Sequence, residues 1–334
     1  MNRKSLIFLF MVSVFLYAIS AQAVTFKIAT LSPEGSFWMQ KMREGAAELF
    51  EKTGHNVEFK FYPGGVMGDD QVVLKKIRLG QLHGGAVVSG SLAGVYPENQ
   101  IYNLPVVFKT YEEVDYVRKK MDPIIKKGLE DKGFVILGMA EGGFAYIMSQ
   151  EPVRTVGDLI KQKMWIPDND ATSLETVRAF GVSPIPLSIA DVRAGLQTGL
   201  INTVTTSPIG AVALQWHTQI KYLTDTPLLY IYAVLAVDRG TFYKLPSDQQ
   251  ESVRDVMGRA FNEIDKQNRI DNGKALEALK NQGVVFIKPP EEVRAEWQAK
   301  AGAVADRLIE NGKLTREIVT QLEGHLATYR NGKQ

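Results

Sequence analysis

The apolar positions of this chain alternate between two periods, and the changes of period mark its elements. Thr25 to Thr30 alternates in and out and predicts a strand. Ser36 then stands as a helix N-cap, and Trp38, Met42, Ala46, Leu49 and Phe50 recur on one helical face up to Lys52, before Gly54. Asn56 to Tyr62 predicts a second strand, stopped by Pro63-Gly64-Gly65. Asp69 or Asp70 caps a helix carrying Val73, Leu74 and Ile77 to Gly80, and Ala86 to Ser89 is a short buried strand. This β-α-β-α-β order predicts a largely parallel sheet with helices on its faces.

The rhythm returns further on. Phe134 to Met139, Ala145 to Met148, Met164 to Ile166 and Leu200 to Thr205 are strand-like. Helices are predicted at Ala171 to Phe180 and Ile189 to Thr198. Ser247-Asp248-Gln249-Gln250 has the form of a capping box, and an almost unbroken helical pattern follows to about Asn281, with Asn272-Gly273 the place for a bend. Thirty-odd helical residues extend about 50 Å at 1.5 Å per residue, more than one small α/β domain is wide. That helix is expected to lie across two domains. Further helices are expected at Pro290 to Glu310 and Thr315 to Tyr329. Two α/β lobes with short crossings imply a cleft beyond the strand ends, where ligands bind and closure buries them.

The N-terminus changes the picture of where the protein works. Asn2, Arg3 and Lys4 precede an uncharged apolar run, Leu6 to Ala18, and Ala21-Gln22-Ala23 has the small-x-small form of a cleavage site. Residues 1–23 therefore read as a cleavable signal peptide for export; an uncleaved anchor is the alternative. The leader removes two of 39 basic residues and none of 37 acidic ones, leaving 37 of each. A mature chain near zero charge has no electrostatic footprint for nucleic acid or anionic lipid. There are no cysteines, which excludes thiolate catalysis and disulfides, so the core alone must stabilise the chain.

Candidate chemistry is sparse. No G-x-S-x-G, H-E-x-x-H, Walker A or G-x-G-x-x-G is present. The four histidines, His55, His83, His217 and His325, have no ligand spacing. His217, after Trp216, is either a helix residue at a lobe edge or a cleft residue. Gly64-Gly65 with Gly68 suggests a phosphate loop, but Asp69 and Asp70 repel an anion, which favours a turn and helix cap. Asp168 and Asp170 with Glu141 are an acid pair or calcium candidate without the spacing of a full oxygen shell. No enzyme activity, metal or cofactor is expected.

Four segments in order resemble the solute-binding component of tripartite ATP-independent periplasmic (TRAP) transporters, the dicarboxylate-type DctP family. They are Tyr62-Pro63-Gly64-Gly65-Val66-Met67-Gly68-Asp69-Asp70, Leu104-Pro105-Val106-Val107-Phe108, Val156-Gly157-Asp158-Leu159 with Lys163-Met164-Trp165-Ile166-Pro167, and Pro184-Ile185-Pro186-Leu187 with Leu196-Gln197-Thr198-Gly199-Leu200-Ile201-Asn202. The resemblance covers about Val24 to Asp248, and the long helix fits beyond it. It implies an α/β, two-lobe periplasmic solute-binding fold with an interlobe cleft and a long C-terminal helix bridging both lobes. The lobes are expected as 24–142 plus 232–271 and 143–231 plus 272–330. It also implies a monomeric receptor that delivers a small molecule to small and large permease subunits, driven by an ion gradient.

The departures are informative. The arginine with which this family grips a carboxylate falls at Trp165, and a second falls at Ala145, after Gly143-Phe144. Polar or charged positions of the sialic-acid-binding branch fall at Leu31, Val88 and Ser91, and a charged run after the Leu-Gln-Thr motif has become Asn202-Thr203-Val204-Thr205-Thr206. The expected ligand-binding residues are Trp165, Ala145, Phe144, Leu31, Val88, Asp168, Thr206, Trp38 and Glu141. Such a pocket favours a neutral or apolar solute stacked on the indole. Two other ligands stay open: a cation over Trp165 helped by Asp168 or Glu141, or an acid held by a relocated Arg193 or Arg239. Trp165, Trp38 and Phe144 also fit core positions, Thr205 and Thr206 fit plain strand positions, and Asp168 fits a cap for the helix from Ala171. A sensor that hands its ligand to a membrane signalling protein is the alternative to a transport receptor.

Overall fold

The computed structural model describes residues 23–168 and 170–332; the expected signal peptide lies outside the described residues apart from Ala23. In chain order the elements are β1 (Val24–Thr30), α1 (Phe37–Lys52), β2 (Val57–Tyr62), α2 (Asp70–Arg78), β3 (Gly84–Val88), α3 (Tyr111–Asp131), β4 (Phe134–Ser149), α4 (Val156–Ile160), β5 (Trp165–Pro167) and α5 (Ala171–Ala179). They continue with β6 (Ile185–Leu187), α6 (Val192–Thr198), β7 (Thr203–Thr206), α7 (Pro208–Ala213), β8 (Tyr222–Asp238), α8 (Arg239–Phe242), α9 (Ser247–Asn281), β9 (Val285–Ile287), α10 (Glu291–Glu310) and α11 (Arg316–Asn331). Short 3-10 turns occupy Ser89–Leu92, Pro97–Asn103, Ile189–Asp191 and Trp216–Gln219.

The main sheet runs β2-β1-β3-β8-β4-β7, with β9 beside β8. Strand β1 is parallel to β2 and β3, as the β-α-β order requires. Strands β4 and β8 are antiparallel to each other along nearly their whole length and run from one lobe into the other. The β8 strand of 17 residues and the α3 helix of 21 residues had no counterpart among the sequence expectations. The two strand-like stretches at Phe134 and Ala145 are one strand, because β4 continues through register shifts at Ile136/Gly138, Glu141/Gly143 and Ala145/Ile147. A bulge adds an unpaired residue and bends a strand without ending it.

Local signals account for the helix ends. Ser36 accepts a hydrogen bond from the Met39 amide, and Asp69 from that of Val72. The capping box at Ser247 does not form: the helix starts one residue earlier than such a box requires, so Pro246 holds the cap position and Ser247 is already helical. Helix α9 is continuous over 35 residues. Its Val253, Val256, Met257, Phe261 and Ile264 share a core with Phe26, Met39 and Leu49 of the first lobe. Its Leu276 and Leu279 pack with Trp216 and Leu223 of the second.

The C-terminal stretch packs against two different cores. Trp297 of α10 packs edge-on against Phe180 of the second lobe, at 5.9 Å between ring centres. Val304, Leu308, Leu314, Ile318, Leu322 and Leu326 instead join Tyr102, Val117 and Leu129 in the core of the first lobe. Helix α10 therefore contributes side chains to both cores. Among the described residues no helix is long and apolar enough to cross a membrane.

Candidate functional site

Between the lobes lies a cavity of about 420 Å³. The first lobe contributes the turn after β1 (Leu31, Ser32), the start of α1 (Phe37, Trp38) and the end of β3 with its turn (Val88, Ser89, Gly90). The second lobe contributes β5 (Trp165, Ile166), α5 (Thr176, Val177), the end of β7 (Thr205, Thr206), α7 and Trp216. Leu229, Ile231 and Ala233 of β8 form the back, and Asn268 and Asp271 of α9 close one side.

Trp165 is 5 % exposed. Its indole N–H donates to the Leu187 carbonyl at 3.0 Å, and its ring meets Trp216 edge-to-face, 5.1 Å between centres at 76°. Both contacts fix the ring plane. Trp38 is half-buried and donates its N–H to Asn268 Oδ1 at 3.0 Å, with Phe261 at 5.4 Å behind it. Two of the walls are therefore indoles whose N–H groups are already committed, leaving carbon faces for a ligand.

The electrostatics are one-sided. Among the described residues no arginine, lysine or histidine lines the cavity, whereas Asp70, Asp170 and Asp271 do. Asp70 accepts hydrogen bonds from the Val88 amide and the Ser91 hydroxyl, each at 3.0 Å. Burial nonetheless pushes its carboxyl up to about 6. Asp170 accepts from the Ser173 amide (3.0 Å) and hydroxyl (2.8 Å), and burial raises its carboxyl as well. Asp271 accepts from Gln267 at 2.8 Å. The Thr205 hydroxyl is buried with no hydrogen-bond partner among the described residues.

Of the residues expected at the site, Trp165, Trp38, Leu31, Val88 and Thr206 are brought together on the cavity. The other four are not. Glu141 is fully buried away from it, its carboxylate held by Arg269 at 2.8 and 3.1 Å, and Arg269 also grips Asp115. Burial raises the Glu141 carboxyl, while Arg269 opposes that shift. Phe144 packs in the first core against Tyr111 (4.7 Å) and Tyr230 (5.9 Å). Ala145 is fully buried opposite Leu229 of β8. The register of β4 on β8 shifts between Glu141 and Gly143 and again between Ala145 and Ile147, so a simple in-out alternation does not run through this stretch. Asp168 is half-buried in the turn after β5 and does not cap α5; Asp170 does.

Neither relocated arginine reaches the cavity. Arg193 and Arg239 are exposed, and Arg239 donates to the Glu130 carbonyl. His217 is bonded to the Ala211 carbonyl at 3.1 Å off the cavity, while its neighbour Trp216 lines it. Trp216 was legible only as part of an aromatic-histidine pair; the left-handed Gln215 before it (φ 59°) is what swings it inward. Leu229 and Ile231 carried no signal, since residues 228–237 of β8 form an unbroken apolar and tyrosine run with no alternation to mark a face. Asp168, Asp170 and Glu141 are not gathered into a metal-holding group, and no such group occurs among the described residues.

The family model "Bacterial extracellular solute-binding protein, family 7" (DctP) matches residues 28–311. The uncharacterized protein YiiZ of Salmonella typhimurium is 27% identical over 62% of this chain, and the match spans 64% of that relative's length. The 2,3-diketo-L-gulonate-binding periplasmic protein YiaO of Escherichia coli is 26% identical over 72% of this chain and 73% of its own. The sugar acid binding protein DctPAm from Advenella mimigardefordensis, solved in complex with galactonate, superposes with a TM-score of 0.85 at 18% identity, covering 92% of this chain and 99% of that one. With two α/β lobes around a cleft and a family model spanning most of its length, the chain belongs to the DctP family of TRAP-transporter solute-binding proteins.

Proposed function

We propose that this protein is a periplasmic receptor that captures a small neutral or apolar solute between its lobes and delivers it to a TRAP permease of small and large subunits. The observation that carries the ligand class is the absence of any basic residue from the described cavity lining, together with three carboxylates there. A ligand carboxylate entering this cavity loses water and gains no cationic partner, a penalty of several kcal/mol. At about 1.4 kcal/mol per tenfold in affinity, even a net ~3 kcal/mol disfavours an acid over its neutral isostere by more than about a hundredfold. The indoles of Trp165, Trp38 and Trp216 supply the apolar contact instead. The relatives named for 2,3-diketo-L-gulonate and galactonate are similar in chain or scaffold, and the departure proposed for this chain is in these walls. The receptor acts as a monomer without cofactor or turnover, exported by the leader 1–23, and its two lobes meet along β4, β8, α9 and α10.

Intrinsic tryptophan fluorescence tests the ligand class, since three indoles line the cavity. Galactonate is titrated beside galactose, and cyclohexanecarboxylate beside cyclohexylmethanol. The neutral member of each pair is expected to bind more tightly. Tighter binding of the acids, or a carboxylate as the species that native mass spectrometry finds on protein purified from periplasm, defeats the neutral-ligand reading.

A further inference from the structure

The crossing between the lobes carries an arrangement that the cavity alone does not explain. Strand β4 passes from one lobe to the other through Glu141, Gly142 and Gly143, where its register on β8 shifts. Gly143 has φ +96°, and a Cβ there would sit 2.5 Å from Asn272 Nδ2. Two asparagines of α9, one helical turn apart, face this kink, and they are 2% and 3% exposed. Asn268 donates Nδ2 to the Glu141 carbonyl at 2.7 Å and accepts the Trp38 indole N–H at 3.0 Å. Asn272 donates Nδ2 to the Gly142 carbonyl at 2.9 Å and accepts the Ile209 amide at 3.1 Å.

The symmetry of these bonds is the point. Each side-chain amide donates its N–H to a carbonyl of the kinked strand and accepts, on its oxygen, an N–H from a cavity wall. Trp38 belongs to the first lobe and Ile209 to the second, and both line the cavity. Carbonyls freed by a bulge need a donor, and many side chains or a water could supply one. The walls need an acceptor. A carboxamide supplies both, uncharged and in fixed geometry. In a buried setting these bonds are costly to break singly, so a wall and the kink move together or not at all.

We propose that Asn268 and Asn272 are positioning residues that tie one ligand-facing wall of each lobe to the kink in β4, so that ligand contact at Trp38 or α7 and bending of the lobes form one event. The ligand then has a differential interaction with the open and closed states, as any closure mechanism requires. This goes beyond the receptor reading and is independent of which solute binds.

The chain has no cysteine, so a clean distance measurement is available. Lys120→Cys on α3 and Gln197→Cys on α6, both exposed, place one nitroxide on each lobe. Pulsed dipolar spectroscopy then reads the interlobe distance in the protein without added solute. Asn268→Ala and Asn272→Ala are expected to broaden and shift that distribution relative to the parent. Trp38→Phe, which removes the indole N–H together with the five-membered ring and leaves Asn268 in place, is expected to broaden it less. A merely structural role lowers the melting temperature and leaves the distances in place, and unchanged distributions in all three variants overturn the proposal. Where an alanine variant does not fold, Trp38→Phe decides, and a distribution identical to the parent's overturns it.

Discussion

Trp165 stands where the family resemblance places a carboxylate-gripping arginine. The indole is buried, bonded to Leu187 and braced by Trp216, so it is a wall of the cavity and a packed core residue at once. Trp165→Arg is therefore expected to act on two properties. Losing a buried tryptophan costs about 3–5 kcal/mol of stability, read as a drop in the urea midpoint. The guanidinium supplies the missing cation, so galactonate affinity should rise against galactose in the same titration; an unchanged ratio removes Trp165 from the specificity argument. Asp70 makes a second residue-scale prediction. Its folded value of about 6 lies above the ordinary 3.8, so the folded state holds the proton more tightly. Stability from this group is then greatest below about pH 4, falls as pH rises toward 6, and is level above that. The full span is roughly 3 kcal/mol at 1.36 kcal/mol per pH unit. Asp70→Asn can still accept from Val88 and Ser91, and it should flatten that slope. Denaturant unfolding of parent and variant at pH 4.5 and 7.5 compares the two, and parallel behaviour counts against the buried-proton account.

At the scale of elements, packing distances decide more than propensity does. Helix α9 approaches β4 so closely that a Cβ on Gly138 would lie 2.2 Å from Phe261 Cγ. Gly138→Ala should force the helix and strand apart at the base of the first lobe. Overpacking of this kind costs about 1–3 kcal/mol, seen as a lower urea midpoint with an unchanged m-value. A midpoint equal to the parent's would show that Phe261 can swing away without cost. The caps at Ser36 and Asp69 were legible because a cap involves only three or four consecutive residues. Glu141, Phe144 and Ala145 lie off the cavity lining for the converse reason: their place is set by the pairing of β4 with β8, a strand distant in sequence, and by the register shifts in that pairing.

Across the whole molecule, two helices rather than one hold the lobes to each other. The second of them leads through Leu314 into α11, and that stretch covers the first lobe with Leu314, Ile318, Val319, Leu322 and Leu326. Burial contributes about 1.5–3 kcal/mol per large aliphatic side chain, so together these approach the 5–15 kcal/mol that holds a typical domain folded. Deleting residues 314–334 should abolish cooperative unfolding of the first lobe, as followed by circular dichroism in urea. A truncated chain with a sharp transition at the parent midpoint would show that α11 is dispensable.

The opening β-α-β-α-β unit with its parallel pairing of β1 to β2 and β3, the long bridging helix, and the tryptophan and alanine where the resemblance places arginines were all present in the sequence, because each depends on local periodicity, caps or the identity of one residue. Leu229, Ile231 and Trp216 reached the cavity, Glu141 was turned onto Arg269, and the C-terminal helices were shared between lobes only through contacts distant along the chain. Periodicity states that a face is apolar; which partner covers that face is settled by the packing of the whole chain.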